Sequence, residues 1–302
     1  MIETIAGIEY KRPQVYLMNE SGLGVAEFAG RTAYNSFDKS EHLIIKQANN
    51  TFKNKHNVNY SESYLKNMAE EMNDIESSDL LNQLAHVYHH DSVLEHINLQ
   101  YFVKGTSRGV LQEHARHRIQ SLTVQSTRYT MSSIINAFIA SSNNYNDFKT
   151  IIDSLNIFIV SGVAEEFEIQ NIFYKLHAQE KILGKDEFLK ISLSKDNIEY
   201  IQKQNKEVEL MNNDKVDSCK EKFKTLESNK QKRNVGDNFK WLVTDNWKVD
   251  LVFTMNLRAL SNYLKLRDSG AAYFQIQWLA EEIIKATPQK YLNLISKKYK
   301  EA

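Results

Sequence analysis

Only two prolines, Pro13 and Pro288, stand among 302 residues, and only ten glycines accompany them. Proline removes a backbone donor and locks φ, and glycine weakens a helix interior, so a chain poor in both is free to run in long helices. A helix-rich fold is expected. Helices are not the whole of it. His96 to Lys104, HINLQYFVK, alternates Ile97, Leu99, Tyr101 and Val103 with Asn98, Gln100 and Lys104, the period of a half-buried strand. Residues 14–18, QVYLM, read as a second, short strand.

Helix signals punctuate the rest. Gly24 to Tyr34 is expected to be helical with Val25, Phe28 and Ala29 on its apolar side. Ser77, Ser78 and Asp79 are N-cap candidates for a helix carrying Leu80, Leu81, Leu84, Ala85 and Tyr88 and ending near His89 and His90. Gly105 is expected to break the strand, and Thr106 or Ser107 to cap a helix through Val110, Leu111 and Ala115 that sets Gln112 and Arg116 on one face. Thr254 is a cap candidate for MNLRALSNYLKLR, with Leu257, Leu260 and Leu264 in the core, and Tyr273 to Ala286 forms another helix closed by Pro288. Residues 181–234 are dominated by Lys, Glu, Asp, Asn and Gln, and read as an exposed, charged helical elaboration with a link around Glu227 to Asn234.

Composition bounds the function. A formal net charge of +0 argues against bulk binding to nucleic acid or a membrane surface. The N-terminal stretch lacks a secretory apolar region and no apolar run reaches spanning length, so a cytoplasmic protein is expected. The single cysteine, Cys219, leaves no intramolecular disulfide and no cysteine-rich metal site.

Positive charge is instead gathered locally. From His114 through Asn146 there is no Asp or Glu, while Arg116, Arg118 and Arg128 fall inside RHRIQSLTVQSTRY. Guanidinium groups match phosphate oxygens two at a time, and a serine hydroxyl completes such a cradle. Taken alone, a cluster of Arg and His is also the composition of a solvated face. His89, His90 and Asp91 in HHDSVLEH suit metal ligation, or a helix C-terminus that favours imidazole. Asn256, Arg258, Asn262 and Arg267 interrupt an apolar helix face, as solvated residues of an amphipathic helix also do.

Arg-His-Arg, seven residues, then Ser126, Thr127, Arg128 and Tyr129, resembles the signature of flavin-dependent thymidylate synthases. HHDSVLEH and NLRALSNYLKLR match further family segments in order, so the resemblance covers roughly residues 14–130 and 237–290. It implies an α+β fold with a central antiparallel sheet flanked by helices, a single domain over 1–302 with the charged helical insertion at about 181–234, and a homotetramer with shared active sites. It implies FAD as cofactor, with NADPH and methylenetetrahydrofolate as co-substrates, no metal and no nucleic-acid partner, for the reductive methylation of dUMP to dTMP. By the same resemblance Gln112, Glu113, Arg116, Gln125, Ser126, Thr127, Arg128, Lys240 and Arg267 meet dUMP. His90, Ser92, Arg116, His117, Arg118, Asn256, Arg258 and Asn262 meet FAD, and Arg267 is the catalytic candidate against the uracil ring.

The chain departs from the family pattern at Ala33, Val124, Ala271, Lys240 and Val243-Thr244. Two other classes stand beside the main reading: a nucleotide- or nucleic-acid-binding homologue without full catalysis, and a metal-dependent phosphohydrolase built on His89, His90 and Asp91.

Overall fold

The computed structural model describes residues 2–47, 62–159, 162–192 and 239–299. Most of the expected elaboration, Cys219 included, lies outside the described residues. Along the chain run β1 (Ile2–Ile5), β2 (Ile8–Lys11), β3 (Gln14–Glu20), α1 (Leu23–Tyr34), α2 (Glu62–Asn73), α3 (Asp79–His86), β4 (Asn98–Ser107), α4 (Arg108–His114), β5 (Ser121–Val124) and α5 (Thr127–Ala140). Then follow α6 (Tyr145–Leu155), α7 (Gly162–Leu183), α8 (Lys185–Ser192), β6 (Lys248–Asn256), α9 (Leu257–Arg267), α10 (Phe274–Ala286) and α11 (Gln289–Ile295). The mixed helix and sheet composition agrees with the expected α+β class.

These elements fall into two compact units. One comprises Met1–Arg12, Gly105–Leu111 and Val124–Val249, the other Pro13–Lys104, Gln112–Thr123 and Asp250–Ala302. In the first, β1 and β2 pair antiparallel as a hairpin. Its core is aromatic: Phe138, Phe148, Phe158, Phe188, Phe239 and Trp247 are almost wholly buried, and Phe138 meets Phe148, Phe173 and Phe188 edge-on at 5.6 to 6.3 Å, a favoured geometry of aromatic quadrupoles. The Trp247 indole donates to the Thr130 hydroxyl at 3.2 Å, so its polar end is satisfied.

The second unit carries most of a four-stranded sheet of order β3-β4-β6-β5. β3 and β4 are antiparallel, Gln14 opposite Lys104, with a register shift between Leu17 and Asn19. Ile97, Leu99, Tyr101 and Val103 are fully buried, as the alternation requires. The strand continues past Gly105, which takes φ +77° inside it, so this glycine bends the strand instead of ending it.

Further corrections concern the helices. α1 buries Glu27 and Arg31, while Val25 is exposed. Burial of this pair is tolerable because Arg31 donates to Glu27 at 3.2 Å and the Ser40 hydroxyl donates to the same carboxylate at 2.6 Å. At its start, a Cβ on Gly22 would stand 2.3 Å from the Asn73 backbone, and the Gly22 amide donates to the Asn73 side chain at 3.0 Å. α3 is capped by Ser78, whose hydroxyl accepts from the Leu81 amide. It ends at His86, with Tyr88 exposed and His89 in the left-handed region at φ +54°. Ser107 caps α4 through the Val110 amide at 3.2 Å. Because α4 stops at His114, Arg116 lies in the turn beyond it and does not share a helical face with Gln112. Thr254 sits within β6; the cap of α9 is Asn256, whose side-chain carbonyl accepts from the Ala259 amide at 2.8 Å.

Among the described residues, no helix is long and apolar enough to cross a membrane.

Candidate functional site

The Arg-His-Arg segment leaves the C-terminal end of α4, where backbone bonds from Arg116 to Glu113 and from His117 to His114 wind a short turn. Arg116 and Arg118 are exposed on it, while His117 turns inward. It meets α9 there. Arg267, the last residue of α9, donates from Nη1 to Glu113 Oε2 at 2.7 Å, from Nη2 to the Glu113 carbonyl at 3.3 Å, and from Nε to His117 Nε2 at 3.1 Å. Only 17% of the Arg267 side chain is exposed, and 32% of Glu113. An imidazole nitrogen that accepts from guanidinium carries no proton, so His117 holds its proton on Nδ1. Burial, then the charges of Arg267 and Arg116, hold His117 below the ordinary imidazole range, in agreement with that tautomer.

Beneath this contact lies a support that sequence reasoning missed. His114 is fully buried, edge-on to Phe253 at 4.8 Å and to Tyr263 at 5.2 Å. Its Nδ1 lies 3.3 Å from the Tyr263 hydroxyl, and its carbonyl accepts from the Gln120 amide at 3.0 Å. Burial pushes His114 down to about 3, so it is neutral at physiological pH. Tyr263 in turn packs edge-on to His117 at 4.6 Å, and burial raises its own pKa. The spacing of Tyr263 and Arg267, four apart on one helix face, was the signal that could have found this arrangement.

A second cluster in the same unit surrounds a cavity of about 440 Å³, lined among others by His86, His89, Asp91, Arg258, Asn262 and Lys297. Two of the eight residues expected to meet flavin, Arg258 and Asn262, line it. Arg258 is ion-paired with Glu95. Two others, His90 and Ser92, are exposed at or near the start of the 3-10 turn Asp91–His96, with His90 Nδ1 3.0 Å from the Tyr34 hydroxyl. Asn256 spends its side-chain carbonyl on capping α9. Among the described residues no group of three or more His, Cys, Asp or Glu is assembled as metal ligands.

In the other unit, Gln125 and Ser126 follow β5, and Thr127 opens α5 with its side chain buried. Arg128 lies in that first turn, its side chain outside those described. Lys240 is exposed on the 3-10 turn Lys240–Leu242.

Residues 17–291 match the family model described as thymidylate synthase complementing protein. The chain belongs to this family. Curated relatives include the flavin-dependent thymidylate synthase of Helicobacter pylori, 25% identical over 219 residues that span 70% of this chain and 78% of the relative. Another is the flavin-dependent thymidylate synthase of Campylobacter jejuni, 26% identical over 214 residues, 70% and 76% of the two chains. The chain shares its fold with thymidylate synthase X from Helicobacter pylori, solved with FAD and dUMP: the TM-score is 0.54 at 21% identity, covering 96% of this chain and 100% of that one. As a member of this family the chain is an enzyme of the methyltransferase type.

Proposed function

We propose that the protein is a flavin-dependent thymidylate synthase that converts dUMP to dTMP, with methylenetetrahydrofolate as carbon donor and NADPH as reductant. The observation that carries this reading is the junction of Arg267 with Glu113 and His117, because it joins the two segments that most resemble the family. The residues fit FAD in kind. A cavity of about 440 Å³ lies within the range that holds small ligands, and Arg258, Asn262, Ser261 and Lys297 offer it cationic and neutral donors for ring carbonyls and phosphates. When bound, the reduced flavin supplies the reducing equivalents.

The protein's own contribution is binding and charge. Arg116, Ser126, Arg128 and Lys240 are read as holding the nucleotide phosphate and sugar, with Gln112, Gln125 and Thr127 nearby in sequence. Lys240 supplies a point charge where arginine would supply a fork. Arg267 is read as donating to the uracil edge, which stabilises negative charge as C5 becomes nucleophilic. No protein thiolate is required. His117, Arg118, His90, Ser92 and Asn256 complete the flavin-side reading. A homotetramer with shared sites, one synthase domain over 1–302 and a cytoplasmic location belong to the same proposal.

The test is direct. Purified protein reconstituted with FAD is given dUMP, methylenetetrahydrofolate and NADPH, and dTMP is measured. Formation that ceases when any one component is withheld is expected. A protein that takes up no FAD and forms no dTMP ends the reading.

A further inference from the structure

Three of the five guanidinium hydrogens of Arg267 are spent inside the chain: one on the Glu113 carboxylate, one on the Glu113 carbonyl and one on His117 Nε2. Because a single residue of α4 engages both terminal nitrogens, the plane of the guanidinium is fixed relative to that helix. One N–H remains on each terminal nitrogen.

We propose that Glu113 and His117 are positioning residues for Arg267, and that the neutral state of His117 is the condition under which Arg267 serves the reaction. The proposal rests on the reading of Arg267 given above, and it moves Glu113 from substrate contact to support. A protonated His117 would turn an N–H toward the Arg267 Nε–H, exchanging a hydrogen bond for opposed donors and opposed charges. The charged and titratable groups around His117 are Arg267 and Tyr263 from α9, and Arg116, His114 and Glu113 from its own segment. Glu113 is bound to Arg267 and His114 is neutral, so within this set the imidazole has cations as its net company. The same contacts keep the proton off at neutral pH, which makes acid the condition that releases the guanidinium.

Two measurements test this. In the first, kcat and KM for dUMP are followed from pH 5 to pH 8 in the FAD-loaded enzyme. Glu113→Gln is expected to lower kcat by about tenfold or more while KM for dUMP and FAD affinity change less than threefold. The wild type is expected to lose kcat toward pH 5, and His117→Gln, whose amide oxygen accepts at every pH, is expected to lack that acid limb. A tenfold rise in KM for dUMP at constant kcat in Glu113→Gln, or an unchanged acid limb in His117→Gln, overturns the proposal. In the second, the His117 ring is titrated by imidazole ¹⁵N shifts without substrate. Arg267→Gln is expected to move the His117 pKa upward, and an unmoved titration overturns the coupling. This second measurement does not depend on turnover, so its outcome separates failure of the positioning proposal from failure of the synthase reading.

Discussion

Asn256 and Ala259 are joined by a 2.8 Å hydrogen bond from the Ala259 amide to the Asn256 side-chain carbonyl, at the point where β6 becomes α9 without an intervening loop. The bond fixes where the helix begins, and Arg267 stands at the other end of it. Replacing Asn256 with Ala is expected to cost about 1 kcal/mol of stability, the usual worth of such a cap, whereas Asn256→Asp should keep most of it. Urea unfolding of the two variants checks this. Equal losses would mean that the cap contributes nothing and the amide matters for another reason.

Arg267→Lys retains a positive charge but has neither the Nε–H that meets His117 nor the planar pair that meets Glu113. Loss of most dTMP formation is expected, with the bound-flavin absorption spectrum close to that of the wild type. Wild-type rates in the variant would show that charge alone suffices at this position.

His114 is neutral in the fold and takes a proton when unfolded, since burial lowers it from 6.5 to about 3. Its contribution to stability is present above about pH 6.5 and declines as pH falls toward 3, because only the unfolded chain binds the proton in that window. The slope from one such group approaches roughly 1.4 kcal/mol per pH unit. His114→Phe keeps a ring against Phe253 and Tyr263, and is expected to flatten the fall in stability between pH 6 and pH 4.5 by about that amount per unit. Denaturant unfolding at several pH values measures it, and an unaltered slope would assign the acid sensitivity to other groups.

Cys219 separates two chemistries that share substrate and product. A thiolate-dependent synthase is silenced when its nucleophile is removed, whereas the ring activation proposed for Arg267 needs no thiol. Cys219→Ala is expected to form dTMP within about twofold of the wild-type rate, under roughly 0.5 kcal/mol on the barrier. Normal binding of both ligands with no product would identify the thiol as the nucleophile.

Strand β4 was legible because Leu99, Tyr101 and Val103 alternate with polar residues and all three are buried. The same rule applied to Val249, Leu251, Phe253 and Met255 marks β6, but the adjacent helical periodicity drew Thr254 into the cap of α9. In α1 the buried side includes an ion pair, and no apolar pattern announces Glu27 and Arg31. The residue types around Arg267 were legible from the spacing of the motif. Their mutual bonding was not, since Glu113 and Arg267 are separated by 154 positions and only the packing of α9 beside α4's end brings them together. His114 was hidden for a simpler reason: a histidine reads as polar, and its burial depends on two aromatic rings from β6 and α9.

The approach of Gly22 to Asn73 leaves room for a hydrogen atom and nothing larger. Any single-base change that alters the amino acid at this codon introduces a side chain whose first carbon meets main-chain atoms, which cannot swing aside as a side-chain tip can. Mutational drift is therefore closed at one position by a segment fifty-one residues downstream. Gly270, where a methyl would have nothing within 4 Å and the backbone is not left-handed, should accept most replacements in a saturation library in which Gly22 accepts almost none.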